Sequence, residues 1–233
     1  MEENEILSQD SIEKKEGATA HETDTDKTAG SLYTFAKIIS AVFSPFLVPF
    51  IAFVILFFFT YLNIMPPAYK LTVLVMVACF TILLPSIGIY LLQRINGWGM
   101  HGLTQRENRF LPYGMTMLSY IACLLTMYNM HLPQYMCGII ISVLICMTLC
   151  LAINIKWKIS VHTAGCGILV GGLCSFSMLF FFNPSIWLSI FILISGLVAS
   201  ARIIVRQHTL GEVTAGFLVG LICGITGILY IYP

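Results

Sequence analysis

From residue 34 onward the chain alternates long apolar runs with short polar breaks. The runs lie near 34–63, 71–93, 111–130, 135–155, 162–182, 185–203 and 209–231. Most are close to the ~20 residues that an α-helix needs to cross the hydrocarbon core of a bilayer. They are apolar on every side rather than striped, so they do not read as the inner faces of soluble helices. Pro45 and Pro49 predict a bend early in the first run, and Pro85 falls inside the second. Two breaks, His131-Leu132-Pro133 and Asn183-Pro184, are so short that the helices they join must be antiparallel neighbours. The pattern predicts an all-α, polytopic transmembrane helix bundle of about six to seven helices. Gly216, Gly220 and Gly224 in the last run, with Gly167 and Gly171 in the fifth, predict a close helix–helix contact.

Residues 1–30 break the pattern. They carry nine of the eleven acidic residues and have no aromatic side chain, so they predict a disordered acidic tail ahead of a transmembrane domain over 31–233. Composition agrees with this division. The chain is 58% hydrophobic and 10% charged, with a mean hydropathy of +0.89, whereas soluble domains are about a quarter charged. The eight cysteines show no CxxC spacing and read as small apolar side chains, with no metal site and no cofactor implied.

Beyond residue 30 the only carboxylates are Glu107 and Glu212. Acids are expensive in a membrane domain, so each needs a reason. Counting helices supplies a context. If the second run ends near Arg94 on one side of the membrane (side A), the following helices leave and return in pairs. The polar segments 101–112, 156–162 and 202–212 then all emerge on side A. They bring Arg106, Arg109, Lys156, Lys158, Ser160, His162, Arg202, Arg206, His208 and Glu212 to one face. Clustered arginines bind planar oxyanions, phosphate above all, through bidentate hydrogen bonds. Two imidazoles beside such a clamp suit phosphoryl transfer, one attacking phosphorus and the other protonating the leaving oxygen. Glu212 lies one helical turn from His208, where it can hold one ring nitrogen and leave the other free. Lys156 and Lys158 flank Trp157 and read as an interfacial anchor. Arg206 divides evenly between the phosphate site and charge anchoring.

These segments resemble the signatures of the type 2 phosphatidic acid phosphatase superfamily, the lipid phosphate phosphatases and phosphotransferases. The family's Ser-Arg, five residues, His, three residues, Asp is similar to Ala201-Arg202…His208…Glu212. Its Pro-Ser-Gly-His is similar to Ile159-Ser160-Val161-His162, and its first signature is echoed by Arg106-Glu-Asn-Arg109-Phe-Leu-Pro112. The resemblance covers about residues 70–231. It implies that His208 is the nucleophile that becomes a phosphohistidine, that Glu212 orients it, and that His162 is the general acid. It further implies that Arg202, Ser160, Arg109 and Arg106 hold the phosphate oxygens without a metal. Val161 stands in place of the family's glycine, Ala201 in place of its serine and Glu212 in place of its aspartate.

The expected partner is a membrane lipid carrying a phosphate or pyrophosphate, and no nucleic acid. The expected activity is hydrolysis of that group; the alternatives are transfer to an alcohol, or head-group binding without catalysis. Bacterial members of the family imply an inner-membrane location. On this topology eleven of the twelve lysines and arginines fall on side A, Lys70 being the exception, which favours a cytoplasmic side A. Many bacterial relatives act on the outer leaflet, so the orientation stays open.

Overall fold

The computed structural model describes residues 30–31, 33–40, 43–96 and 110–229. The expected acidic tail lies outside the described residues, as does the segment carrying Arg106 and Arg109. Eight helices follow in order: α1 (Leu47–Phe59), α2 (Pro67–Ala78), α3 (Leu84–Asn96), α4 (Phe110–Asn129), α5 (Gln134–Lys156), α6 (Val161–Phe180), α7 (Ser185–Ile204) and α8 (Leu210–Leu229). There is no strand among the described residues. A π-helical turn, Cys79–Leu83, joins α2 to α3 as one apolar span, Pro67–Ile95. With α4 to α8 this makes six helices long and apolar enough to cross a membrane, the architecture of a multi-pass integral membrane protein.

The first apolar run is not a single helix and adds no further span among the described residues, which leaves six, within the expected six to seven. Residues 33–40 are helical, the chain turns at 43–46, and α1 then runs for 13 residues to a 3₁₀ turn at Tyr61–Ile64. Pro45 has no N–H to continue a helix, whereas Pro49 sits in the first turn of α1, where no intrahelical partner is needed. A helix of that length rises about 20 Å, short of the ~30 Å core.

Pro85 has the opposite outcome: it is absorbed. Across the π turn the Leu84 N–H bonds to the Cys79 carbonyl, an i→i−5 register. In that register the next donor would be residue 85, which as proline has none, so the Phe80 carbonyl is left over. Ser119 of α4 donates its hydroxyl to that carbonyl. A polar group orphaned inside an apolar span is thereby satisfied by the neighbouring helix.

α6 is the central helix: 72% of its most apolar window is buried, against 22% for α7. Its glycine face meets α8 at backbone distance. A Cβ built on Gly220 would lie 1.9 Å from the Ala164 carbonyl oxygen, and one on Gly171 would lie 2.3 Å from that of Leu221. Only glycine fits, so the predicted close contact is realised between α6 and α8. On the face opposite side A, Lys70 is buried, and its ammonium donates to the Asn63 carbonyl and side-chain oxygens at 2.9 and 3.1 Å. Its Nζ also sits 5.4 Å above the Phe58 ring.

Candidate active site at the side-A end of the bundle

The α6–α8 contact brings two linkers together. One is Trp157–Ser160, leading into α6; the other is Val205–Thr209, leading into α8. Ser160 N–H donates to the Glu212 carbonyl at 3.3 Å and so stitches the start of α6 to the first turn of α8. The second linker begins with a Schellman ending of α7. Arg206 N–H bonds to Ile203 O, Gln207 N–H bonds to Arg202 O, and Arg206 takes the left-handed conformation at φ 54°. Glycine usually holds that position; here it is an arginine, whose side chain turns to the cavity described next.

A cavity of about 610 Å³ opens at this end. Its polar rim consists of Lys158, His162, Arg202, Arg206, Gln207 and His208. Both expected imidazoles and the expected arginine therefore border one space. Arg202 and His208 lie near enough to His162 to interact with it electrostatically. The helix count had placed the second and third polar segments on one face, and they do converge. Pro112, the last residue of the first segment, and Tyr113 line the same cavity.

His208 and Glu212 form the best-defined part. The His208 Nδ1 is 3.0 Å from the Glu212 Oε2, and their side chains are only 7% and 13% exposed. The same oxygen accepts the Thr209 N–H at 3.1 Å. Thr209-Leu210-Gly211-Glu212 thus makes the carboxylate half of a capping box at the start of α8. The cap fixes the carboxylate, and the carboxylate fixes the ring. A carboxylate only accepts, so Nδ1 carries the hydrogen and Nε2 keeps its lone pair. Burial, and next the Arg202 charge, push the His208 imidazole from its ordinary 6.5 down to about 4, against the hydrogen bond it donates to Glu212, which pulls it up. At neutral pH the ring is uncharged.

Arg202 is in the last turn of α7 and donates from Nη1 to the Ser40 hydroxyl at 2.8 Å. Sequence reasoning missed Ser40, one of two serines early in the first apolar run, where the residue type gives no signal. It also missed Asn154, which is 7% exposed and lines the cavity. A buried amide near the end of a membrane helix was a readable signal. Lys158 departs from the anchor reading: it lines the cavity, and its ammonium donates to the Gln207 carbonyl, tying the two linkers together. Lys156 is exposed.

Ser160 is not at the cavity. It is the N-cap of α6 and fully buried against α8, and its Oγ has no hydrogen-bond partner among the described residues. The main chain of α8 at Gly216 packs on its carbonyl, where an added Cβ would come to 2.4 Å. Val161, one residue on, lines the cavity instead. Ala201 packs with Ala36, Ile39, Cys166 and Val198 in a small apolar cluster, an environment with no use for a hydroxyl. No group of three or more His, Cys, Asp or Glu able to hold a metal ion occurs among the described residues.

What remains is an uncharged imidazole of fixed tautomer, a second imidazole and three cationic side chains around one opening, which is chemistry suited to a phosphate group. Comparison with protein-family models, with characterised proteins and with solved structures gives no match to this chain.

Proposed function

We propose that the protein is a phosphatase of a lipid phosphate or isoprenyl pyrophosphate, working in a bacterial inner membrane through a phosphohistidine. The observation that carries this is the convergence of His162, His208 and Arg202 on one cavity, with His208 Nδ1 held by Glu212. In this reading His208 Nε2 attacks phosphorus and the bond from phosphorus to the leaving oxygen breaks. His162 delivers a proton to that oxygen, releasing the alcohol. Water then attacks the phosphohistidine and gives a proton to His162 as the phosphorus–nitrogen bond breaks, freeing phosphate and restoring both imidazoles. Arg202, Arg206 and Lys158 neutralise charge that grows on the phosphoryl oxygens, an electrostatic role of the kind that contributes most to such reactions. The resemblance of the second and third motifs points the same way and carries no metal.

Phosphate release from phosphatidate, a lysophospholipid phosphate and an isoprenyl pyrophosphate should be measured on purified wild-type protein and on His208→Ala. The wild type should release phosphate from at least one, and the variant at most about a thousandth of that. Equal release from the two proteins overturns the reading. Adding a short alcohol and finding its phosphate ester would assign transfer in place of hydrolysis.

A second reading, a head-group binder without turnover, is favoured by Ser160 being turned away from the cavity and by Val161 lining it. In that case the wild type binds lipid phosphate and releases none.

A further inference from the structure

The cavity continues below its rim, and its walls change character. On α5 the lining runs from Asn154 through Cys150 and Met147 to Val143, one stripe at helical spacing. At 1.5 Å per residue this stripe descends about 16 Å. On α4 it runs from Tyr113 through Thr116 to Tyr120, about 10 Å. Ile89 of α3 and Ile168 of α6 close the other sides. Several of the polar groups along this shaft are already engaged. Thr116 donates its hydroxyl to the Pro112 carbonyl at 2.8 Å, and the Cys146 and Cys150 sulfurs pair at 3.9 Å. Tyr120, 1% exposed, and Val143 form the floor. The shaft reaches roughly half-way across a ~30 Å hydrocarbon core.

We propose that this shaft takes one hydrocarbon chain of the substrate into the protein interior, with the chain tip against Tyr120 and Val143 and the phosphate at the His208 rim. The placement of the phosphate rests on the reading of the site given above. A largely apolar shaft left empty forgoes dispersion contacts along its wall, and water gains few hydrogen bonds there. A chain tethered to a head group at the rim removes both costs. The whole cavity is of a size that encloses one drug-sized ligand, which leaves room for one chain beside the head group. The ligand class is therefore a single-chain phosphate, isoprenyl or lysolipid, or a two-chain lipid with its second chain outside. Phe46, Ile89 and Tyr113 all line the cavity, and α1 packs on α2, α5 and α6 but scarcely on α3 or α4, so in this proposal the chain enters between α1 and the α3–α4 pair.

A long-chain alkyl phosphate with a photoreactive diazirine at its tip tests this on the full chain in lipid nanodiscs. Adducts should map to Tyr120, Val143 or Met147 and be competed away by the same alkyl phosphate without the diazirine. Met147→Trp, which fills the shaft, should lose the adducts at Tyr120 and Val143. Adducts confined to outward-facing Leu118, Leu125 and Ile145 on the same two helices, or no competable adducts, overturn the proposal. Wild-type mapping decides the matter even if Met147→Trp does not fold. Running phosphate release in parallel separates the two readings: shaft adducts without release remove the enzyme and keep the chain site, whereas release with only outward-facing adducts does the reverse.

Discussion

Replacing Gly220 by alanine adds one methyl group at the place where α6 and α8 are closest. That carbon would stand 1.9 Å from the Ala164 carbonyl oxygen and 2.7 Å from its carbon, both main-chain atoms of α6. No side-chain rotation relieves a clash with backbone, so the helices must part by about 1 Å or more; overpacking of this kind costs about 1–3 kcal/mol. Ala164 is two residues from His162, and Gly220 shares α8 with Glu212. Parting the helices therefore separates the second imidazole from the His208–Glu212 pair. A displacement near 1 Å at reacting groups lowers the rate by about a hundredfold. Gly196→Ala is the matched control, because a Cβ there meets nothing within 4 Å on α7. It should be neutral or gain up to about 1 kcal/mol from helix propensity. Thermal unfolding of the detergent-purified proteins reads the first effect, and phosphate release from a lipid phosphate reads the second. If Gly220→Ala unfolds with the wild type and with Gly196→Ala, the α6–α8 contact does not hold the site, and the reasoning fails whatever the activity.

Three other outcomes follow from particular contacts. The unfolded chain protonates His208 near 6.5 and the folded chain only near 4. Between those values the unfolded state holds the extra proton, so stability falls as pH drops through 6.5 toward 4 and is fully present above 6.5. Melting curves from pH 4 to 7 should therefore be less pH-dependent for His208→Gln than for wild type, and equal slopes would contradict the assignment. Ser119→Ala leaves the Phe80 carbonyl without its donor and should cost about 1 kcal/mol. In a Pro85→Ala background, where residue 85 regains an N–H, that cost should largely vanish; an additive double-mutant cycle argues against the link. Arg206→Gly relieves a left-handed arginine at φ 54° and should stabilise by about 1 kcal/mol while lowering affinity for inorganic phosphate. A glycine variant that melts earlier than wild type would show that the arginine is not strained there.

The spans were legible because membrane helices announce themselves by length and hydropathy alone. Five of the predicted runs, from 111–130 onward, match α4 to α8 to within a few residues at each end. The first run failed because an apolar stretch is equally compatible with one helix or two, and the break depends on where prolines fall relative to a helix start. At the site, His208 and Glu212 were readable because one turn of helix fixes their relation, and His162 and Arg202 because parity brings linkers to a face. Ser160 was misplaced by a matter of angle. At an N-cap the neighbouring side chains diverge, and here Val161 takes the cavity while Ser160 faces α8. Ser40 and the inward course of Lys158 were not legible, since each depends on packing between elements distant in the chain.

The glycine face of α6 also bears on how the protein is made. α8 leaves the ribosome after the other seven helices, and until it inserts, Gly167 and Gly171 present a bare backbone groove to lipid. Ser175 of α6, whose hydroxyl lies 3.3 Å from the Ile225 carbonyl of α8, then lacks that second acceptor. α8 also carries Glu212, and the linker before it carries His208. During biogenesis, assembly of the bundle and formation of the His208–Glu212 pair are thus one event, set by the arrival of α8, and a nascent chain caught before it carries His162 and Arg202 but not the held imidazole.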